Sequence, residues 1–396
     1  MSESVRVGLD LRAGSGSWLG GLYYLQNLAL ALSALPEGER PELVGLAPSE
    51  DGEFQPGEFE GILRLAPFRG GDPRRTLVGR IRHRLERILE RPSRQPVGLD
   101  RAAERERLDV LFPTFEERPL RRAVYLPWVP DLQHLHLPEN FSVEERERRT
   151  RAIDLVARHA ALVVVSSAAA AADLAGTCPE ATDKTRVLRF TTVPREEWFL
   201  DDPDQTVERL GLPETFLLLP GQFWVHKNHG IAFEAVRILR ERGAQVCLVC
   251  TGSPNDHRRP EHFELLRTFL ERHRLEGSVR ILGVVPRVEY VHLLRAAGGL
   301  VQTSLFEGWS SVVEDARALG KASLLSDIPV HREQNPDGAR YFPAADAEAL
   351  ADGMAQLLST SPPGNEREAL ERQRERVATY ARAFASVARE AAETRY

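Results

Sequence analysis

The sequence contains few lysines and few cysteines. The chain has 396 residues, and 52 of them are lysine or arginine. Only Lys184, Lys227 and Lys321 are lysine. An arginine bias of this kind is typical of GC-rich coding. Each lysine is therefore a candidate for a position that requires a compact ammonium group. Three cysteines exclude a disulfide framework.

Two of the cysteines, Cys247 and Cys250, have the spacing of a CxxC motif. They lie in the apolar run 245–251, which is typical of a β-strand. Residues three apart on a strand point to opposite faces of the sheet. The sequence therefore predicts two separately buried thiols instead of a redox or metal-binding pair.

Long hydrophobic runs are also absent. The longest mainly apolar stretch, residues 160–172, is too short to cross a bilayer. Residues 1–11 lack the basic and apolar regions of a secretory signal, so we expect a cytoplasmic protein. The net charge is −6, which argues against nucleic acid as the main partner. The composition, 42% hydrophobic and 28% charged, excludes a fibrous or disordered chain.

Short apolar runs alternate with helical patterns along most of the chain. This alternation predicts an α/β protein with parallel sheets and helical crossovers. The acidic, turn-rich stretch 194–213 marks the boundary between two Rossmann-like domains, residues 1–200 and 201–374, that face a cleft. Residues 366–396 have one long helical pattern. It could fold back on either domain, and packing of residues from about 375 to 396 on the N-terminal domain is one option.

Residues 52–100 are the least readable part of the sequence. The arginine-rich segment 80–91 has an amphipathic helical pattern with apolar side chains on one face. Such a helix suits either the surface of a membrane or a solvated position against the protein core. A peripheral contact with the inner face of a membrane therefore stays open.

The densest set of polar residues lies at 304–320, after one predicted strand and at the start of a helix. Gly308 permits a tight turn, and Ser310 or Ser311 can cap the helix, whose first N–H groups form an anion site. Glu307 and Asp315, eight positions apart, can accept hydrogen bonds from sugar hydroxyls. Glu314, three residues after Ser311, fits a capping box instead.

A second set, residues 220–228, lies between a strand and a helix at the start of the second half. Lys227 is placed where a ligand phosphate could meet both its ammonium group and the N-terminus of a helix. A pair of unit charges about 4 Å apart contributes roughly 4 kcal/mol at an effective dielectric constant of about 20. A helix terminus contributes about 0.3–1 kcal/mol, so the lysine would be the main anchor.

Two further segments lie in the first half. Residues 9–21 resemble a phosphate-binding turn but lack the third glycine of the dinucleotide fingerprint, while Gly20 and Gly21 still allow close approach of a ligand. Residues 128–141 leave the end of a strand, where α/β proteins build their sites. There Asp131 and His134 are candidate polar contacts. Asp131 could instead cap a turn, and His134 could be a structural histidine.

In order and content, these segments resemble the retaining nucleotide-sugar glycosyltransferases of the GT-B fold, family 4. The most specific part of the resemblance is the pair of segments that contain Lys227 and residues 306–310. The resemblance implies that Glu307 contacts the transferred sugar and Asp315 the ribose. It also implies that Lys227 binds the diphosphate and that Arg287 lies near the nucleobase. No metal or cofactor is implied, and the DxD string at Asp202 and Asp204 is expected to be a solvated turn.

The sequence departs from that family at three positions. Asp315 stands where glutamate is usual, Gln222 occupies the position of the diphosphate-binding arginine, and Pro130 replaces a histidine that faces the reacting centre. His134 could take over the role of that histidine. One positive charge on the leaving group is missing unless another side chain supplies it.

The sequence therefore predicts a glycosyltransferase that moves a hexose from a UDP- or GDP-sugar to a carbohydrate or lipid-linked acceptor. The alternatives are a non-catalytic or an epimerase-type nucleotide-sugar-binding protein on the same fold. The catalytic candidates are Glu307, Lys227, Asp131 and His134. The donor-binding candidates are Gly20, Gly21, Gln222, Lys227, Arg287, Glu307, Gly308, Trp309, Ser310, Ser311 and Asp315.

Overall fold

The chain folds around two parallel β-sheets. The computed structural model describes residues 4–14, 19–48, 59–68, 97–114, 123–360 and 366–394. The amphipathic segment 80–91 and part of the glycine-containing turn, residues 15–18, lie outside the described residues. Two sheets of parallel strands with surrounding helices confirm the predicted α/β class.

The first sheet is formed by strands from the first half of the chain. In chain order, β1 to β7 are Arg6–Asp10, Glu42–Pro48, Arg64–Phe68, Val110–Thr114, Val124–Val129, Val163–Val165 and Thr185–Val187. Their spatial order is β3-β2-β1-β4-β5-β6-β7, and every pairing is parallel.

The second sheet repeats this winding. In chain order, β8 to β13 are Leu217–Pro220, Leu248–Thr251, Val279–Ile281, Gly299–Gln302, Ser323–Ser326 and Arg340–Phe342. Their spatial order is β10-β9-β8-β11-β12-β13, again with parallel pairings. Apolar clusters cover both faces of this sheet. Cys247 belongs to one cluster and Cys250 to the other, which confirms the prediction that the two thiols are buried apart.

Helices connect the strands and cover the sheets. In chain order, α1 to α13 are Leu19–Ser33, Val97–Arg105, Gln133–His136, Val143–His159, Ala168–Thr177, Pro203–Arg209, His229–Glu241, His262–His273, Arg287–Ala296, Ser311–Ala318, Pro329–Gln334, Ala347–Thr360 and Glu366–Glu393. Of the helices in the part of the chain that the structure describes, none combines the length and apolar character that a membrane span requires.

The last helix, Glu366–Glu393, packs against the first sheet although it follows the second in sequence. Val377, Tyr380 and Phe384 belong to the apolar cluster that covers the first sheet. Arg186 pairs with Glu390 near the end of the helix, and Gln373 donates a hydrogen bond to Thr191 Oγ1 at 2.7 Å. These contacts place the C-terminal helix on the N-terminal half. The boundary near residue 200 stays a prediction.

Two of the three lysines have equivalent structural positions. Lys184 Nζ donates hydrogen bonds to the carbonyl oxygens of Arg158 and Ala160, where helix α4 ends. Lys321 Nζ does the same for Arg295 and Ala297, where α9 ends. The last carbonyl groups of a helix lack partners within the helix, and these ammonium groups satisfy some of them.

Lys321 provides a pH-dependent test of this position. Burial lowers its pKa from 10.5 to about 8. Between these values the unfolded chain holds a proton that the folded chain releases, so a rise in pH favours the folded state. We expect the native chain to gain stability relative to Lys321→Met from pH 8 to 10, by on the order of 2 kcal/mol. Urea unfolding at several pH values measures this difference, and parallel pH profiles would contradict it.

Candidate active site

A crevice opens where the order of the second sheet changes direction, between β8 and β11. In doubly wound sheets, ligands bind at the carboxyl ends of the strands at such a point. The loop after β8 contains Lys227, and the loop after β11 contains Glu307. The two predicted polar segments of the second half therefore lie side by side.

Backbone hydrogen bonds hold these two loops together. The N–H group of Leu305 donates to the carbonyl oxygen of His226 at 2.7 Å, and Thr303 Oγ1 donates to that of Lys227 at the same distance. Asn228 adopts a left-handed conformation with φ of 55°, which ends the turn Val225–Lys227 and starts helix α7. The backbone of Lys227 is therefore fixed from both sides.

Lys227 and Glu307 form an ion pair. Lys227 Nζ lies 2.6 Å from Glu307 Oε1, and Ser304 Oγ donates to the same oxygen at 2.6 Å. Burial alone would raise the pKa of Glu307, but the charge of Lys227, with smaller effects of His331 and His226, lowers it to about 2. Glu307 is therefore an ionised hydrogen-bond acceptor at neutral pH and has no proton to give as a general acid.

A second ion pair lies in the same crevice. Arg287 Nη1 and Nη2 contact Asp315 Oδ2 and Oδ1 at 2.7 and 2.6 Å. Thr192 Oγ1 donates to Asp315 at 2.6 Å, and the hydroxyl of Tyr290 donates at 3.1 Å. Asp315 is thus bonded to protein groups on both of its oxygens.

Both halves of the chain contribute to the wall of the crevice. The lining residues are Gly20, Tyr23, Gly221, Gln222, Trp224, Lys227, Thr251, Gly252, Ser253, Val284, Val285, Arg287, Tyr290, Ser311, Val312 and Asp315. Six predicted donor-binding residues are among them: Gly20, Gln222, Lys227, Arg287, Ser311 and Asp315. Glu307 is not on this wall but is bonded directly to Lys227, which is.

Several residues on this wall escaped prediction from the sequence. Thr251 ends β9, Gly252 and Ser253 follow it, and Tyr23 lies on helix α1 of the first half. Gly252 has a φ of 135°, and a Cβ atom there would lie 2.2 Å from the carbonyl oxygen of Gly221. A glycine directly after a predicted strand was the signal that could have identified this loop.

Gly308 lies at a close contact between the two halves. A Cβ atom on Gly308 would lie 2.0 Å from the carbonyl oxygen of Pro130 and 3.0 Å from Asp131 Cβ. The absence of a side chain therefore allows the loop after β11 to touch the loop after β5. This contact places Asp131 next to Gly308, the residue that follows Glu307.

Replacement of Gly308 by alanine is expected to push these loops apart. The overlap is with backbone atoms, which cannot rotate away, so we expect a loss of about 1–3 kcal/mol and a lower Tm. Gly230→Ala is the matched control, because its Cβ would meet only Leu266 Cδ2 at 3.6 Å. Thermal unfolding of both variants measures the effect. An unchanged Tm in Gly308→Ala would show that the close contact is not maintained in solution.

The residues next to Gly308 contact other parts of the chain and do not line the crevice. Trp309 is buried and donates from Nε1 to the carbonyl oxygen of Phe190 at 2.9 Å. Ser310 is buried, and its carbonyl oxygen accepts a hydrogen bond from Gln334 Nε2 at 2.9 Å. Gly21 and Gly308 are likewise not on the crevice wall. Trp309 thus links the second half to the first.

The capping-box prediction for Glu314 is wrong. Helix α10 begins at Ser311 without a side-chain cap. Glu314 is instead buried, and its carboxylate accepts hydrogen bonds from Gln334 at 2.9 Å and from Thr191 at 3.2 Å. Tertiary partners therefore replace the local capping interaction that the spacing indicated.

The two catalytic candidates of the first half have different surroundings. Asp131 Oδ1 accepts a hydrogen bond from the N–H group of Gln133 at 3.0 Å, so it caps a local turn while it touches Gly308. His134 is buried, and its Nε2 lies 3.1 Å from Thr150 Oγ1. Burial, together with Arg149, lowers the pKa of His134. His134 is not on the crevice wall, which fits the structural role that the sequence left open.

The DxD string at Asp202 and Asp204, predicted to be a solvated turn, lies within the described residues. Asp202 caps helix α6, because its Oδ1 accepts a hydrogen bond from the N–H group of Asp204 at 3.0 Å. The DxD string therefore forms the start of a short helix. Both aspartates are exposed, as predicted, but they start a helix where the sequence predicted a turn.

Part of the chain matches a known protein family. Residues 203–382 match the family model for glycosyl transferases group 1. No curated protein matches the sequence at a significant level. The matched segment begins at helix α6 and includes the loops of both Lys227 and Glu307.

Solved structures share the fold over nearly the whole chain. HepE from Anabaena, in complex with UDP, has 18% identity and a TM-score of 0.63, with 96% of this chain and 98% of HepE covered. Sucrose-phosphate synthase from Thermosynechococcus elongatus has 16% identity, a TM-score of 0.66 and coverage of 98% and 97%. WaaG, a glycosyltransferase involved in lipopolysaccharide biosynthesis, has 13% identity, a TM-score of 0.59 and coverage of 98% and 99%. The chain therefore has the GT-B fold, and its residues 203–382 match the family model for glycosyl transferases group 1.

Proposed function

We propose that the chain is a retaining hexosyltransferase that uses a UDP- or GDP-sugar as donor and a carbohydrate or lipid-linked molecule as acceptor. The observation that carries this proposal is the Lys227–Glu307 pair at the carboxyl ends of β8 and β11, beside a crevice that both halves line. HepE was solved with UDP and with UDP-glucose, which supports a uridine donor without excluding GDP. We assign residues 1–200 to the acceptor side and 201–374 to the donor side.

The proposed chemistry divides the work between the two charged groups. Lys227 leaves Glu307 and binds the diphosphate, where negative charge develops as the sugar departs. Glu307 then accepts hydrogen bonds from sugar hydroxyls and stabilises the positive charge that forms on the sugar ring. Because Glu307 is ionised, it does not donate a proton to the leaving group.

Retention of configuration fits the surroundings of the reacting centre. In same-face transfer, the departing diphosphate helps to take the proton of the acceptor, so positioning matters more than a protein base. This route requires no histidine at Pro130 and agrees with a His134 that is bonded to Thr150. Asp131, next to Gly308, is the polar group of the first half that we place nearest to the acceptor. No metal or cofactor takes part in this scheme.

A panel of sugar nucleotides tests the proposal. Thermal-shift measurements with UDP-glucose, UDP-galactose, UDP-N-acetylglucosamine and GDP-mannose identify the donor, because a specific ligand stabilises the fold by mass action. Release of nucleoside diphosphate is then measured with and without simple sugar acceptors. We expect one donor to raise Tm and to release its nucleotide faster when an acceptor is present, with the anomeric configuration retained in the product.

Other outcomes would favour the alternatives. Conversion of the donor sugar to another sugar without any acceptor would indicate an epimerase. Donor binding with no transfer to any acceptor would favour a non-catalytic protein, for which Gln222 in place of a second cation is the motivating feature. The absence of stabilisation by every sugar nucleotide would contradict all three functions.

A further inference from the structure

The Arg287–Asp315 pair raises the question of which partner meets the donor nucleotide. A carboxylate offers about four lone-pair positions to hydrogen-bond donors. At Asp315, two N–H groups of Arg287 and the hydroxyls of Thr192 and Tyr290 provide four donors, at 2.6 to 3.1 Å. The carboxylate is therefore saturated by protein groups, and a ribose hydroxyl would have to displace one of them.

Arg287 differs from Asp315 in this respect. A guanidinium group has five N–H hydrogens, and Asp315 accepts from Nη1 and Nη2. Arg287 lines the crevice, and 17% of its side chain is exposed, against 4% for Asp315. The cation thus retains hydrogen-bonding capacity on the side where a ligand would lie.

Three aromatic rings hold the guanidinium in place. Its central carbon lies 4.8, 4.9 and 5.0 Å from the ring centres of Tyr23, Trp198 and Tyr290. Cations are attracted to aromatic faces at such distances. Tyr23 belongs to helix α1 of the first half, so the position of Arg287 depends on both halves.

We propose that Arg287 is the side chain that binds the nucleoside diphosphate on this side of the crevice, and that Asp315 is its buried counter-ion, which does not itself contact the nucleotide. The inference rests on the proposed function and names Arg287 as a second cation for the donor, where Gln222 supplies none. Ribose and phosphate oxygens accept hydrogen bonds from the guanidinium. Lys227 and Arg287 together then face the diphosphate part of the donor.

This assignment and ribose binding by Asp315 predict different effects of Asp315→Asn on the affinity for a nucleoside diphosphate. Asp315→Asn keeps the shape of the side chain but removes its negative charge, so the field of Arg287 on an anionic ligand increases. Binding of a nucleoside diphosphate is then unchanged or tighter. If Asp315 itself accepted hydrogen bonds from the ribose, the same substitution would weaken binding.

The test is calorimetric titration of UDP and of GDP into the native chain, Arg287→Met, Asp315→Asn and the control Arg267→Met, whose side chain is 52% exposed on helix α8. For the nucleotide that binds the native chain more tightly, we expect Arg287→Met to raise Kd at least 10-fold. Asp315→Asn should leave Kd unchanged or lower it up to 10-fold, with a smaller effect at high salt. Arg287→Lys should recover part of the binding.

Two outcomes would overturn the inference. Weakening of more than 3-fold by Asp315→Asn would do so, as would unchanged binding by Arg287→Met. Should Arg287→Met fail to fold because Asp315 is left buried and unpaired, the double variant Arg287→Met/Asp315→Asn replaces it, with the same expected loss. If the native chain binds neither UDP nor GDP, the inference and the proposed function both fail. If it binds one of them and the variants contradict the inference, the proposed function stands.

Discussion

Replacement of Lys227 by alanine is expected to lower kcat/KM for sugar transfer by about 10²–10³-fold. A pair of unit charges about 4 Å apart contributes roughly 4 kcal/mol at an effective dielectric constant of about 20. Each 1.36 kcal/mol corresponds to about a tenfold change in rate, so the complete loss of this interaction approaches three orders of magnitude. Because 19% of the Lys227 side chain is exposed, some screening by solvent is expected.

Nucleotide release with the best donor measures this effect. Arg267→Ala removes an equally charged but exposed side chain on helix α8 and should leave the rate unchanged within about 2-fold. Lys227→Arg keeps the charge and should retain more activity than the alanine variant. Turnover of Lys227→Ala at the native rate would show that the diphosphate leaves elsewhere and would remove Lys227 from the site.

Replacement of Glu307 by glutamine is expected to lower kcat by about 10²–10³-fold, with a smaller change in donor KM. Glutamine keeps the shape and can still accept a hydrogen bond from Ser304, so the loop after β11 is preserved. What is lost is the negative charge, whose effect is largest in the transition state, when positive charge forms on the sugar. An interaction that acts mainly in the transition state changes kcat more than ground-state binding.

Glu314→Gln is a matched control for this substitution. Glu314 is also a buried glutamate of the same segment, but its partners are Gln334, Thr191 and Arg317, and it does not line the crevice. We expect its kcat to stay within about 3-fold of the native value, although its Tm can fall. Equal losses of kcat in the two variants would mean that Glu307 acts through stability alone. Near-native kcat in Glu307→Gln would contradict its role at the sugar.

The position of the candidate site was predictable because it depends on strand ends. The sequence placed Lys227 after one strand and Glu307 after another, and parallel strands bring such loops to one edge of a sheet. The 2.6 Å contact between the two side chains was not predictable, since it depends on strand order and on the hydrogen bonds that join the loops. The ends of helices also depend on local sequence. Gly243, just after helix α7, has the positive φ of a helix-terminating glycine.

The features that could not be predicted from the sequence depend on tertiary contacts. The edge strand Arg64–Phe68 was missed, because Pro67 weakens a strand pattern and is tolerated only at an edge. The capping box at Glu314 failed because Gln334, twenty residues later, supplies a buried partner. The pairing of Arg287 with Asp315 likewise joins residues 28 positions apart.

The three lysines show what the rarity of a residue type can predict and what it cannot. Their rarity marked them for attention, but only the strand-end position of Lys227 indicated a ligand site. Lys184 and Lys321 hydrogen-bond to carbonyl groups at helix ends. No local sequence pattern indicated these contacts. A rare residue type therefore identified candidates, and position in the fold separated their roles.

A crystal structure of the chain with its best sugar nucleotide tests the central claim most directly. We expect the diphosphate within hydrogen-bonding distance of Lys227 Nζ, the sugar beside Glu307, and the 2.6 Å contact between these two side chains broken. A nucleotide bound away from the crevice, or a Lys227–Glu307 contact that persists beside the bound donor, would contradict it.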